Sequence, residues 1–305
     1  MNTIVGRKKQ IIIKTQNMPI SLLITGANGQ LGFSITKLFL SFGYKVLPLG
    51  KSELDITDRA EVAKTIAAHA PQIIINCAAY NQVELAEENI KAAFAVNASG
   101  PFYLAKSADS IGARFVHIST DYVFDGELEF YSETDPARPI NAYGASKFAG
   151  EQLVQAACPS SIIIRTSWLF GTSSDAGSHN FVKKMLQAAQ NREEINMVDD
   201  QYGKPTYAGD LALKIKELLE EKNAPSGIYH ITNASVCSRY EFAKEIFSLA
   251  GLSAKIMPQS TRKSGSKVLR PKFVALENKR LMELGLAPMR PWQEALADYL
   301  KEIRP

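Results

Sequence analysis

Tyr143 and Lys147 stand four residues apart in the run Tyr143-Gly144-Ala145-Ser146-Lys147, a spacing that puts both side chains on one face of a helix. A lysine ammonium beside a tyrosine hydroxyl stabilises the phenolate and draws the tyrosine pKa down from about 10 toward working pH. Such a pair suits a general acid that protonates a carbonyl oxygen as it is reduced. The YxxxK spacing is common by itself and needs support from elsewhere. The run His117-Ile118-Ser119-Thr120-Asp121-Tyr122-Val123-Phe124 provides it, because it ends a strand in hydroxyls at the carboxyl edge of a sheet, where open α/β folds bind ligands. A third run, Thr25-Gly26-Ala27-Asn28-Gly29-Gln30-Leu31-Gly32, follows one strand and opens a helix. Its glycines allow a tight turn, close backbone approach to a pyrophosphate and close helix packing, and the helix N-terminus offers unpaired N–H groups to phosphate. The spacing is GxxGxxG rather than GxGxxG. A plain strand-to-helix turn that needs glycine is the alternative, and the strand-motif-helix context favours dinucleotide binding over it.

These groups must be positioned by alternating strands and helices. Ser21 to Thr25, Lys45 to Leu49, Gln72 to Cys77, Arg114 to Ser119 and Ser161 to Thr166 are rich in Ile, Val and Leu and read as strands buried on both faces. Helical patterns fill the intervals at Gln30 to Phe42, Arg59 to His69, Ile90 to Ile111 and Tyr143 to Ala157. Repeated βα units predict an α/β fold, a Rossmann-type doubly wound parallel sheet with right-handed crossovers. After Gly171 the regularity loosens into loops and helices around Asn180 to Asn191, Ala208 to Lys222, Arg239 to Ala250 and Trp292 to Ile303. The expected organisation is a disordered extension over 1–17, a dinucleotide-binding domain over 18–170, and a smaller C-terminal substrate-binding lobe over 171–305, some of whose segments return to the Rossmann core.

Composition narrows the function classes. The 305 residues carry 35 Lys plus Arg against 31 Asp plus Glu, and Arg7, Lys8, Lys9 and Lys14 account for the whole excess. The remainder is formally neutral, without the basic stripe of a nucleic-acid binder. Apolar runs such as Ile73 to Ile75 are far shorter than the roughly 18 residues of a membrane span. Cys77, Cys158 and Cys237 are odd in number and widely spaced, without CxxC spacing, so neither a disulfide framework nor a zinc site is encoded, and a cytoplasmic location is expected.

Strand two ends near Leu49, and where an acid would then grip the ribose 2′-hydroxyl of NAD the chain reads Gly50-Lys51-Ser52. Lys51 can pair with a 2′-phosphate, which favours NADPH while leaving NADH open; a solvated loop lysine is the other reading. Asp55-Ile56 can lie beside the adenine, and Asp55 is equally placed to cap the helix that begins near Asp58.

Together these motifs resemble the extended short-chain dehydrogenase/reductase family, and within it the dTDP-4-dehydrorhamnose reductase branch. The resemblance runs from about Ile20 to the C-terminus. It includes Asn76-Cys77-Ala78-Ala79-Tyr80, Val96-Asn97-Ala98, Arg165-Thr166-Ser167-Trp168, Asn180-Phe181-Val182, Asp200-Gln201-Tyr202-Gly203-Lys204-Pro205-Thr206-Tyr207 and Arg270-Pro271. It implies reduction of the C4 keto group of dTDP-4-dehydro-L-rhamnose to dTDP-L-rhamnose, a step in making nucleotide sugars for cell-surface polysaccharide. Tyr143 would be the proton donor, Thr120 a hydrogen-bond partner of the same oxygen, and Lys147 the holder of the nicotinamide ribose. Ala78, Ala79, Tyr80 and a supporting Asn97 belong by the resemblance to the cofactor side. Asn81, Val83, Tyr122 and Trp168 belong to the sugar side. A dTDP diphosphate needs a cation from the later half of the chain, and Arg270 is the candidate, with Lys204 a weaker rival.

The sequence departs from the branch at Asn81-Gln82-Val83-Glu84, where Thr-x-Val-Asp is usual, and after Arg270-Pro271, where Asn-Ser is usual. Both changes fall on the sugar side. Two other functions remain as alternatives: a non-catalytic NADP-binding regulatory subunit, since the β subunit of methionine adenosyltransferase resembles the same branch, and a nucleotide-sugar epimerase or dehydratase. Dehydratases place Asp-Glu after the strand-four Thr, whereas Asp121 is followed by Tyr122. Some relatives pair through magnesium-linked carboxylates; no such cluster can be placed here, so a homodimer and a Mg2+ role stay open.

Overall fold

Ser21–Thr25 (β1), Lys45–Leu49 (β2), Ile73–Asn76 (β3) and Arg114–Thr120 (β4) form, with Ile162–Thr166 and Gly227–His230, one six-stranded sheet in a computed structural model that describes residues 19–175, 180–191, 194–221 and 224–303. The extension expected over 1–17 lies outside the described residues. All five pairings in the sheet are parallel, and the spatial order is Gly227–His230, Ile162–Thr166, β4, β3, β1, β2. The order reverses between β1 and β3, which opens a crevice at their carboxyl ends.

The strands are apolar at most positions because each face meets helices. Leu22 and Ile24 of β1 join Ile75, Val116 and Ile164 in a core closed by Gln30–Ser41 (α1) and the helix Ala208–Glu220. Leu23, one residue out of phase, joins Ile74, Phe115 and Ile163 in the opposite core, closed by Arg59–His69 (α2) and the helices Gly100–Ser110 and Ala142–Ala157. A slip of one residue would exchange these two sets, so the register that places Thr25, Asn76 and Thr120 at the sheet edge is held by both cores. Phe170, Phe242, Trp292, Leu296 and Tyr299 form a separate core in the later half of the chain.

Several features differ from the sequence reading. The helix expected from Ile90 to Ile111 is interrupted: Ile90–Phe94 and Gly100–Ser110 are joined by a π-helical turn over Ala95–Ser99. Pro101 has no N–H to offer the Asn97 carbonyl one turn back, so the regular ladder cannot run through this point. A sixth strand, Gly227–His230, docks beside Ile162–Thr166, although four residues that open on a glycine just after Pro225-Ser226 carry little strand signal. The later half also contains a parallel pair, Glu194–Val198 with Lys255–Gln259, where only loops and helices were expected. A short helix, Lys279–Glu283, also stands in this half.

Candidate active site

Two adjoining cavities of about 320 and 390 Å³ lie across the carboxyl ends of β1, β3 and β4. Both are walled by Gly26, Gly29, Cys77, Ala79 and Asn81, so they form one groove. Gly26 turns the chain out of β1 with φ of +65°, and a Cβ there would lie 2.5 Å from the Ala78 nitrogen; only glycine fits this turn. Gly29 is the N-cap of α1, no side chain caps the helix, and its first turn carries no acid. Gly29, Gln30, Leu31 and Gly32 line the groove, which suits an anion at a helix N-terminus.

The groove divides by chemistry. One arm holds Asn28, Lys51, Asp55, Ile56, Ala78, Ala79 and Tyr80. Asp55 accepts from the Thr57 nitrogen at 2.9 Å and the Thr57 hydroxyl at 2.7 Å, while Asp58 caps α2 through Ala60 and Glu61. Asp55 is therefore not the helix cap. Glu53, the acid nearest the end of β2, accepts from the Gly50 nitrogen at 2.8 Å. Asn97 lies outside the groove wall. Its amide is buried in the π turn, where it accepts from the Tyr80 nitrogen at 2.8 Å and donates to the Tyr80 carbonyl and to Ser146. It clamps the loop after β3.

The other arm holds Thr120, Tyr122, Tyr143, Lys147 and Trp168, with Asn81, Val83 and Arg270. Thr120 donates to the Asp121 carboxylate at 3.0 Å, and the Tyr143 hydroxyl is hydrogen-bonded to Thr120. The expectation that Lys147 lowers the Tyr143 pKa is not met. Burial pushes the phenol well above its ordinary value, and Asp121 and Tyr122 push the same way against the Thr120 hydrogen bond. Lys147, 1% exposed, donates to the Ile118 carbonyl at 2.7 Å. Burial lowers its pKa to about 8, opposed by Glu151 one turn along the helix. Burial also raises Asp121 to about 6. The site thus holds a tyrosine that keeps its proton and a lysine able to lose one.

At the mouth, Arg270 donates to the Tyr122 hydroxyl at 2.7 Å and is paired with Glu84. Lys204 stands away from the groove wall, donating to the Leu276 carbonyl at 2.7 Å. Trp168 sits at φ of +44°, an unusual conformation for a bulky residue. Its indole is pressed on Gly203, where a Cβ would lie 2.6 Å from the ring.

The family model described as "RmlD substrate binding domain" matches residues 20–304. This chain belongs to that family. It is similar to the spore coat polysaccharide biosynthesis protein SpsK of Bacillus subtilis, 40% identical over 92% of this chain and 97% of that protein. It is also similar to the dTDP-4-dehydrorhamnose reductase of Streptomyces griseus, 39% identical over 90% of this chain and 91% of that one. Among solved structures, dTDP-4-dehydrorhamnose reductase from Bacillus anthracis in complex with NADP is 40% identical, covers 93% of this chain and 100% of its own, and superposes with a TM-score of 0.89. A UDP-glucose 4-epimerase from Thermus thermophilus, at 21% identity and a TM-score of 0.79, shares the fold.

Three groups in this RmlD-family site were not singled out from the sequence. Arg239 stacks on Trp168, with its guanidinium carbon 3.5 Å from the ring centroid, and lines the same arm as Arg270. As the first residue of the helix Arg239–Ala250, it carries no local signal of that contact. Asp121 and His117 lay inside a quoted motif but had no assigned role. Among the described residues no group of three or more His, Cys, Asp or Glu side chains is arranged to hold a metal ion, and no helix is long and apolar enough to cross a membrane.

Proposed function

We propose that this protein is an NADPH-dependent reductase of the C4 keto group of dTDP-4-dehydro-L-rhamnose, yielding dTDP-L-rhamnose in the cytoplasm for surface polysaccharide. The observation that carries this reading is the single groove that joins an uncapped helix N-terminus at Gly29 to the Thr120, Tyr143 and Lys147 cluster. The open cradle at Gly29 and the Ala78, Ala79 and Lys51 wall fit a dinucleotide, with Gln30 and Leu31 at its pyrophosphate and Lys51 at a 2′-phosphate. Bound there, the nicotinamide supplies the hydride.

The chain's own residues supply the proton and the orientation. Tyr143 donates its proton to the carbonyl oxygen as negative charge develops there. A tyrosine whose pKa is raised by burial retains that proton until an oxyanion draws it off, which is the requirement of the reduction direction. Thr120, fixed by Asp121, places its oxygen beside the same point and keeps the phenol aimed. Lys147 holds the nicotinamide ribose and replaces the proton that Tyr143 gives up. Arg270 and Arg239 neutralise the diphosphate, and Trp168, Tyr122 and Val83 wall the sugar.

The test is NADPH oxidation with dTDP-4-dehydro-L-rhamnose. The expected result is one cofactor consumed per sugar reduced. Tight NADPH binding without turnover would overturn the reading in favour of a non-catalytic regulatory role, and turnover without net cofactor consumption would favour epimerase or dehydratase chemistry.

A further inference from the structure

His117 lies in the middle of β4, 0% exposed, between Asn76 and Lys147. The Asn76 amide nitrogen is 3.0 Å from Nδ1 of the ring, and the Lys147 Nζ is 3.5 Å from Nε2. Which ring nitrogen carries the proton follows from the other side of Asn76. Its Oδ1 accepts from the Ala78 backbone nitrogen at 3.1 Å and from the Thr25 hydroxyl at 2.7 Å. A backbone N–H can only donate, so Oδ1 must face Ala78 and the amide NH2 must face the ring. An NH2 facing Nδ1 requires that Nδ1 carry a lone pair. The neutral ring therefore bears its proton on Nε2, and that N–H points at Lys147.

A donor aimed at an ammonium is repulsive, while a donor aimed at a neutral amine is a hydrogen bond. We propose that His117 is a positioning residue which, locked by Asn76 in the Nε2–H tautomer, favours the neutral amine of Lys147 and so readies the lysine to pass its proton toward Tyr143. The proposal deepens the reductase reading and rests on it for the direction of proton flow. The other groups acting on Lys147 are the Ile118 carbonyl of β4, the Cys77 thiol beyond β3 and Glu151 on its own helix, which also carries Tyr143 one turn earlier and lining the same arm. The carbonyl and the Glu151 carboxylate favour the ammonium, and Glu151 is itself bound by Arg165 at 2.6 Å. The buried ring stays uncharged: burial, and then Lys147, hold its pKa well below the ordinary histidine value.

The proton moves in a balanced chain. The O–H bond of Tyr143 breaks as the proton goes to the substrate oxygen, and an N–H bond of the Lys147 ammonium breaks to restore the phenol. The neutral amine accepts from Nε2–H until water returns its proton, and no electrons are exchanged beyond the hydride of the reductase reaction.

Two measurements test the proposal. In wild-type protein, 15N NMR of labelled histidine should show His117 protonated on Nε2 and bare at Nδ1 up to alkaline pH; a proton on Nδ1 would overturn it. The Lys147 titration, followed by 13C NMR of labelled lysine and by the alkaline limb of kcat/KM, should move up by about one pH unit in His117→Phe. It should also move up in Asn76→Ala, which frees the ring to present a lone pair to Lys147 without touching the lysine. A lysine titration unmoved in both folded variants would overturn the proposal whatever their turnover. The NMR readouts need no substrate. An inactive wild type would thus remove the reductase reading while the tautomer and the titration still decide the role of His117.

Discussion

The perturbation that reads both stability and chemistry in this site is Glu151→Gln. Glu151 and Arg165 are 0% and 2% exposed, joined by two hydrogen bonds of 2.9 and 2.6 Å, and Ser119 donates to the same carboxylate. Glutamine replaces one acceptor with a donor and leaves the Arg165 charge buried without its counter-ion. Breaking one partner of a buried pair costs about 3–5 kcal/mol. At about 2 °C per kcal/mol for a chain of this size, the melting temperature should fall by roughly 6–10 °C. The same change removes the negative charge that opposes the burial of Lys147, whose pKa stands at about 8. The alkaline limb of the rate profile should therefore move down, opposite to His117→Phe and Asn76→Ala. The assays are thermal unfolding by circular dichroism and kcat/KM from about pH 6 to 10, a range that brackets the lysine titration. Glu151→Met with Arg165→Met should recover most of the lost stability, because two apolar side chains leave no buried charge. A single variant that melts within about 1 °C of wild type, less than 1 kcal/mol on that scale, or whose alkaline limb stays in place, would refute the account of this pair.

Tyr143→Phe should keep NADPH affinity and lower kcat by about 10²-fold or more, measured by cofactor titration and steady-state rates. Lys51→Ala should weaken NADPH by about two- to fivefold, the scale of an exposed ion pair, and leave NADH unchanged; equal effects on both would assign Lys51 to the solvated loop. Arg270→Ala should raise KM for the sugar nucleotide about tenfold or more, the worth of a charged hydrogen bond, whereas Glu84→Gln, which releases Arg270, should lower it. Asp121→Asn should stabilise the protein at neutral pH by up to about 3 kcal/mol, since the folded pKa is raised by burial to about 6 from 3.8. The raised carboxyl holds extra proton in the folded state, so wild-type stability falls as pH rises through that window. The advantage of the substitution should vanish below about pH 4 in urea unfolding.

The sequence by itself determined the fold class and most of the groove. Five apolar strand runs, the glycine turn after β1 and the YxxxK helix are local patterns, and local backbone preference and periodicity suffice to read them. The fold class is legible because a sheet covered on both faces leaves continuous apolar strands between helical stretches. Only the tertiary structure decided which charges neutralise one another and which protons are held where. The pairing of Arg270 with Glu84, the stacking of Arg239 on Trp168 and the donation from Thr120 to Asp121 depend on elements brought together across the chain or on a hydroxyl rotamer. The raised pKa of Tyr143 is the plainest case: four-residue spacing permits a lysine to approach the phenol, but burial and the neighbouring acid set the outcome. The break in the helix at Asn97 shows the same division. Pro101 is visible in the sequence, yet a π turn there is favoured because the buried amide clamps Tyr80 and Ser146, contacts that arise only once the sheet has assembled.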